Sequence, residues 1–203
     1  MSVQDDLKLA PVIPVLTIER LEDAVPLARA LVAGGLRVLE VTLRTPVALE
    51  AMARIGDEVG DAIVAAGTVL TAADRAAAAK AGARFAFSPG LADFMLEGGP
   101  VPMVPGIATP SELMRGLERG ITTFKFFPAV PAGGADALKA LGGPFPDVKF
   151  CPTGGIDAAR AKEFLSLPNV LCVGGSWIAP SRSIAAQDWT AITANAKAAS
   201  ALR

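Results

Sequence analysis

Eight short runs rich in β-branched and aromatic residues recur along the chain, separated by helix-like stretches. The runs are "VIPVLT" (12–17), "RVLEVTL" (37–43), "AIVAA" (62–66), "RFAFS" (84–88), "VPMVP" (101–105), "TTFKFF" (122–127), "VKFCP" (148–152) and "VLCVG" (170–174). Segments between them, such as "RLEDAVPLARALVAGG" and "TAADRAAAAKAGA", combine good helix formers with a glycine stop at the C-terminal end. "TPSELMRGLERG" offers Thr109 as an N-cap with Glu112 three residues on, the pattern of a capping box. Strands joined by helical crossovers pair in parallel with right-handed connections. Eight such units are the number that closes into a (β/α)8 TIM barrel. An open doubly wound sheet competes, but "VIPVLTIERLEDA" carries no GxGxxG after the first strand. With 203 residues and no internal linker or low-complexity tract, the expectation is an α/β chain forming one (β/α)8 domain over residues 1–203.

What is missing narrows the chemistry. The chain has no histidine and no tyrosine, which removes Ser-His and Cys-His nucleophile pairs, imidazole metal sites and phenolic proton shuttles. Cys151 and Cys172 form no CxxC pair and read as buried thiols in a reducing compartment. A formal net charge of −1 without long runs of either sign gives no nucleic-acid footprint and no membrane-surface patch. No apolar run reaches membrane-spanning length, and the N-terminus lacks the pattern of a signal peptide. A cytoplasmic location is the expectation. Catalysis must run on Lys, Arg, Asp, Glu, Ser, Thr, backbone N–H groups or a cofactor.

Period-two geometry sorts the polar strand residues. In "RVLEVTLRT", Leu39, Val41 and Leu43 share the apolar face that packs on helices, so Glu40, Thr42 and Arg44 point inward. In "TTFKFF", Phe124 and Phe126 go outward while Thr123, Lys125 and Phe127 go inward. Lys125 is thus a strand lysine aimed into the barrel. It reads either as half of a packing ion pair with Glu40 or as a chemical group. Buried pairs rarely stabilise more than an apolar alternative, and Lys125, Glu40 and Arg44 all fall toward the C-terminal strand ends, where barrel enzymes carry their active sites. Desolvation in an apolar mouth disfavours an ammonium and frees an amine to attack a carbonyl. A Schiff base formed this way draws electrons from an adjacent C–C bond without a metal. After the seventh and eighth strands come "CPTGGI" (151–156) and "CVGGSWI" (172–178). Barrels commonly bind phosphate at these two loops through backbone N–H groups.

Taken together, "ALVAGGLRVLEVTLRT", "VAAGTVL", "FAFSPGL", "VPGIATPSE", "FKFFPA", "FCPTGGI" and "VLCVGGSW" resemble the pyruvate-dependent class I aldolases. The family is the one that cleaves 2-dehydro-3-deoxy-6-phosphogluconate and 4-hydroxy-2-oxoglutarate. The resemblance runs from about residue 11 to residue 178. It implies a homotrimeric barrel with no cofactor and no metal, acting on small 2-keto acids and sugar phosphates. It makes Lys125 the Schiff-base lysine and Glu40 the general acid/base, working through a water. It gives Arg44 the pyruvate carboxylate, Thr68 and Thr153 the polar groups of the substrate, and Pro89 and Phe127 the apolar walls. Gly154, Gly155, Gly175 and Ser176 would form the phosphate cradle, Ser176 adding a hydroxyl. One departure stands out: "FFPAVPAGG" replaces the family's "FFPAEA" pattern, so Val130 and Pro131 remove a carboxylate and stiffen the turn on the aldehyde side. Two other readings compete with the lyase. One is a metal-dependent aldolase or decarboxylase on the same barrel, and the other a non-catalytic barrel that binds sugar phosphates or serves as a trimeric scaffold.

Overall fold

A computed structural model describes residues 2–202. Its strands are β1 (Val12–Leu16), β2 (Val38–Thr42), β3 (Ile63–Gly67), β4 (Phe85–Phe87), β5, β6 (Thr123–Phe126), β7 (Lys149–Pro152) and β8 (Val173–Gly175). β5 comes in two pieces, Met103–Val104 and Gly106–Ile107, on either side of Pro105. Its first piece pairs with β4 and its second with β6, so the break hands the chain from one neighbour to the other. Pro105 has no N–H to donate, which breaks the ladder, but its carbonyl still accepts from the Lys125 N–H at 2.9 Å. Every strand pair is parallel, and β8 returns to β1 in the register Val12↔Val173. A bridge from Thr153 to Gly174 joins β7 to β8 and closes the (β/α)8 ring. All eight sequence runs therefore hold a strand. Two are displaced: the fifth continues past Pro105 to Ile107, and the eighth becomes regular only at Val173, with Val170 making a lone bridge to Phe150.

The helices are α1 (Val3–Leu7), α2 (Ala24–Ala33), α3 (Ala48–Glu58), α4 (Ala72–Lys80), α5 (Pro110–Leu117), α6 (Gly134–Gly142), α7 (Ala158–Leu165), α8 (Ser181–Ala185) and α9 (Trp189–Ser200). Local sequence explains their starts. Thr109 caps α5 with Glu112 completing the box and Pro110 in the first turn, and Thr71 caps α4 with Asp74 in the same reciprocal pattern. Each box satisfies two otherwise orphaned N–H groups. After β4 there is only a short 3₁₀ turn, Asp93–Met95. The buried Arg75 guanidinium holds this connection by donating to the carbonyls of Val101 (2.9 Å), Phe94 (3.1 Å) and Glu97 (3.1 Å).

Burial divides the core along the period-two pattern. Leu39, Val41, Phe124 and Phe126 belong to the larger cluster between strands and helices, and Leu43 packs half-buried against it. Each such side chain contributes about 1.5–3 kcal/mol on leaving water. A second cluster fills the barrel itself: Ile13, Val38, Ala65, Phe85, Phe87, Val104, Cys151, Leu171 and Cys172, joined by Leu7 of α1. Both cysteines are buried. Helix α1 thus stoppers the N-terminal end of the barrel. Gln4 donates to Thr123 at 2.8 Å, and Asp6 pairs with Arg84 at 3.2 Å. The opposite end is left for function. Among the described residues no helix is long and apolar enough to cross a membrane.

Candidate active site

Strands β2 and β6 carry the central pair. Lys125 Nζ donates to Glu40 Oε1 at 2.7 Å, with the lysine 5% and the glutamate 1% exposed. The barrel register explains how they meet: both side chains project inward above the apolar stack, Glu40 level with Val15 of β1 and Lys125 level with Cys151 of β7. Two aromatic rings line the amine, Phe87 with its centroid 5.0 Å from Nζ and Phe127 at 5.8 Å. Both distances lie within cation–π range. Glu40 Oε2 is buried with no hydrogen-bond partner, and so is Thr153 Oγ1. An unpaired buried polar atom costs about 1–3 kcal/mol, so two of them converging on one mouth mark a place for a polar reactant.

A cavity of about 150 Å³ is lined by Val15, Arg44, Phe127, Thr153, Gly154, Gly155, Ile156, Gly174 and Ser176; Lys125 and Glu40 are not in its lining, and Phe127, whose ring lies 5.8 Å from Nζ, links the pair to it. It unites six of the residues singled out in the sequence: Arg44, Phe127, Thr153, Gly154, Gly155 and Ser176. Arg44 lies two residues beyond the end of β2, so its placement follows from the turn and not from strand alternation. Its exposed guanidinium donates through Nε to Thr68 Oγ1 at 3.1 Å. Thr68 itself adopts φ +59°, a left-handed conformation that costs a non-glycine residue about 1–3 kcal/mol and gathers at functional sites.

The glycine loop after β7 is braced from the β6–α6 connection. Ala129 N–H donates to Thr153 O at 2.8 Å and Val130 N–H to Gly154 O at 3.1 Å. Gly154 takes φ +107°, a conformation that glycine alone adopts freely. Val130, the departure noted in the sequence, packs on Gly155 so closely that a Cβ there would sit 3.0 Å from Val130 Cβ. Pro89 and Gly175 stand outside the cavity lining. Pro89 packs its backbone against Gly106, and Gly175 makes room for the Trp177 ring, whose Cζ3 would lie 1.9 Å from an added Cβ.

Sequence reasoning missed Phe87, the ring nearest the amine. The alternation Phe85, Phe87 in "RFAFS" held the signal, since both rings share the inward face and meet edge-on at 5.4 Å. It placed Thr42 inward but missed its hydroxyl partner Thr17, the two Oγ1 atoms lying 3.2 Å apart. On the adjoining loop after β1, Asp23 is held by Arg20 (2.8 and 3.0 Å) and by Gln187 (3.0 Å). Burial pushes its carboxyl up, but the hydrogen bonds from Arg20 and Gln187 outweigh burial and the net displacement is downward. Among the described residues no group of three or more His, Cys, Asp or Glu side chains could hold a metal ion.

The chain as a whole is similar to known proteins. The family model described as "KDPG and KHG aldolase" matches residues 3–195. A 2-dehydro-3-deoxy-phosphogluconate aldolase of Pseudoalteromonas atlantica is 54% identical over 202 residues, covering 98% of this chain and 94% of the relative. The KHG/KDPG aldolase of Escherichia coli K12 is 51% identical over 201 residues, with coverage of 98% and 94%. The crystal structure of a KDPG aldolase from Legionella pneumophila superposes with a TM-score of 0.96 at 50% identity, covering 99% of both chains. That crystal holds pyruvate captured at low pH as a covalent carbinolamine.

Proposed function

The chain belongs to the KDPG and KHG aldolase family, and on that footing we propose that Lys125 is the amine with which it cleaves 2-dehydro-3-deoxy-6-phosphogluconate into pyruvate and glyceraldehyde 3-phosphate. The observation that carries this reading is the buried 2.7 Å contact between Lys125 Nζ and Glu40 Oε1 at the C-terminal mouth of the barrel.

Lys125 attacks the C2 keto carbon once its proton has moved to Glu40. Loss of water from the carbinolamine gives a protonated Schiff base. Glu40, ionised again, takes the proton from the C4 hydroxyl. The C3–C4 bond then breaks, its electron pair flows into the iminium to give an enamine, and the aldehyde leaves. Protonation of the enamine at C3 and addition of water to the imine release pyruvate and restore the amine. One carboxylate within hydrogen-bond reach of the amine can serve each proton transfer in turn, the geometry that general acid–base catalysis requires.

The remaining residues follow the substrate outward. Arg44 is the partner for the C1 carboxylate, since guanidinium and carboxylate match as a bidentate pair. Thr153, with its unpaired buried hydroxyl, and Thr68 meet the polar groups of the chain. Phe127 is the apolar wall of the cavity, and the family resemblance adds Pro89 from outside its lining. Gly154, Gly155 and Ser176 of the cavity lining receive the phosphate, and the family resemblance adds Gly175, which stands outside that lining. The same lysine and carboxylate serve 4-hydroxy-2-oxoglutarate, which yields pyruvate and glyoxylate and makes no use of the phosphate loops. The family resemblance adds a cytoplasmic homotrimer. Light scattering after size exclusion should then report about three times the 20.7 kDa chain mass, and a monomer mass would remove the trimer.

Borohydride reduction in the presence of pyruvate tests the central step. A reduced pyruvate adduct on the peptide containing Lys125, absent from Lys125→Ala, is the expected outcome. Undiminished cleavage by Lys125→Ala, with pyruvate release read through lactate dehydrogenase, would refute the assignment.

A further inference from the structure

We propose that Gly67 is a positioning residue for the reaction, its missing side chain being the space in which the Glu40 carboxylate is held against Lys125. The inward face of β3 runs Ile63, Ala65, Gly67, so its side chains shrink toward the mouth. The β2–β3 register sets Ala65 beside Glu40 and Gly67 beside Thr42, so Glu40 leans up the barrel across the Gly67 backbone. A Cβ on Gly67 would lie 2.4 Å from Glu40 Oε1, 2.8 Å from its Cγ and 3.0 Å from its Cδ. All three atoms belong to one side chain, and Oε1 is the atom that receives the Lys125 hydrogen bond.

The chain itself does not ask for glycine here. Gly67 lies in a regular strand and is absent from the positive-φ glycines, which include Gly154 and Gly155. Alanine would adopt the same backbone conformation without strain. What alanine would disturb is the carboxylate. Moving Oε1 from 2.4 Å to ordinary contact with a methyl group takes a shift of about 1 Å, enough to stretch a 2.7 Å hydrogen bond past its useful range. Glu40 is 1% exposed, so it cannot swing into solvent to escape. A misplacement of about 1 Å in a reacting group costs on the order of 10²-fold in rate.

The inference rests on the acid–base role given to Glu40 above, and a double-mutant cycle keeps the two separable. The full chain is compared as wild type, Gly67→Ala, Glu40→Ala and the double variant, with steady-state cleavage and melting temperature both recorded. Gly67→Ala should lower kcat about 10²-fold with KM changed less than about threefold. The double variant should be no slower than Glu40→Ala, because no carboxylate remains to displace. Gly67→Ala should also melt lower than wild type, whereas adding it to Glu40→Ala should leave the melting temperature unchanged. Should Gly67→Ala fail to fold, recovery of folding in the double variant would support the collision. A double variant that stays unfolded while Glu40→Ala folds would overturn it. So would a Gly67→Ala kcat within threefold of wild type, or losses that simply multiply in the double variant. Glu40→Ala turning over as fast as wild type would defeat the acid–base role itself, and the melting-temperature cycle would still decide whether Gly67 keeps room for that side chain.

Discussion

Replacing Lys125 by methionine separates what the buried pair does for chemistry from what it does for stability. Methionine keeps most of the aliphatic stem and removes the charge. Glu40 is then left 1% exposed, with Oε2 already unpartnered and Oε1 deprived of its 2.7 Å donor. Breaking a buried ion pair from one side costs about 3–5 kcal/mol, because a charge remains in the interior without compensation. For a chain of 203 residues, each kcal/mol moves the melting temperature by about 2–4 °C, so Lys125→Met should melt roughly 6–20 °C below wild type. Replacing both partners by apolar residues of similar size is often neutral or stabilising by about 1–4 kcal/mol. Lys125→Met/Glu40→Leu should therefore recover the loss and reach or exceed the parent, with no cleavage activity in either variant. Calorimetry at neutral pH reads the first quantity, and the coupled pyruvate assay the second. A Lys125→Met protein as stable as wild type would show that Glu40 does not depend on the lysine for its burial, and the reasoning built on their contact would be lost.

Other outcomes can be checked alongside. Arg44→Lys should raise KM for the keto acid roughly tenfold, since an ammonium loses the bidentate fit to a carboxylate, and steady-state kinetics will show it. Ser176→Ala should lower kcat/KM for the phosphorylated substrate by about five- to tenfold and leave 4-hydroxy-2-oxoglutarate unaffected; equal losses on both would remove Ser176 from the phosphate cradle. The lowered Asp23 carboxyl contributes stability that is present above its unfolded value of 3.8 and lost as pH falls through the folded value. Asp23→Asn should accordingly flatten the acid limb of a melting-temperature profile.

The sequence was most informative where period-two alternation could act. It separated Leu39 and Val41 from Glu40, and Phe124 and Phe126 from Lys125, because a one-residue slip would have put charge among the helices. Capping chemistry fixed the start of α5 at Thr109 for an equally local reason. Alternation lost its hold beyond the strand ends. Arg44 reaches the mouth through a turn after Thr42, and Pro105 read as a stop although the chain continues to Ile107. Apart from the pairing of Lys125 with Glu40, neighbour relations across the barrel were invisible. That Phe87 faces the amine, that Val130 leans on Gly155, and that Gly67 and Gly174 leave room for Glu40 and Thr153 depends on register between distant segments. For the glycines the signal was misleading in kind. Glycine is usually read as freedom of the backbone, whereas at Gly67 and Gly174 it is absence of volume.

Helix α1, with Leu7 driven into the floor of the barrel, turns the interior into a cul-de-sac. Reactant and both products share one doorway, and they must queue. The three-carbon piece stays tethered at the blind end while the aldehyde stands between it and solvent. With the lysine bond proposed above, the aldehyde departs first and pyruvate last, both through the C-terminal mouth, because Leu7 and the apolar stack fill the other end.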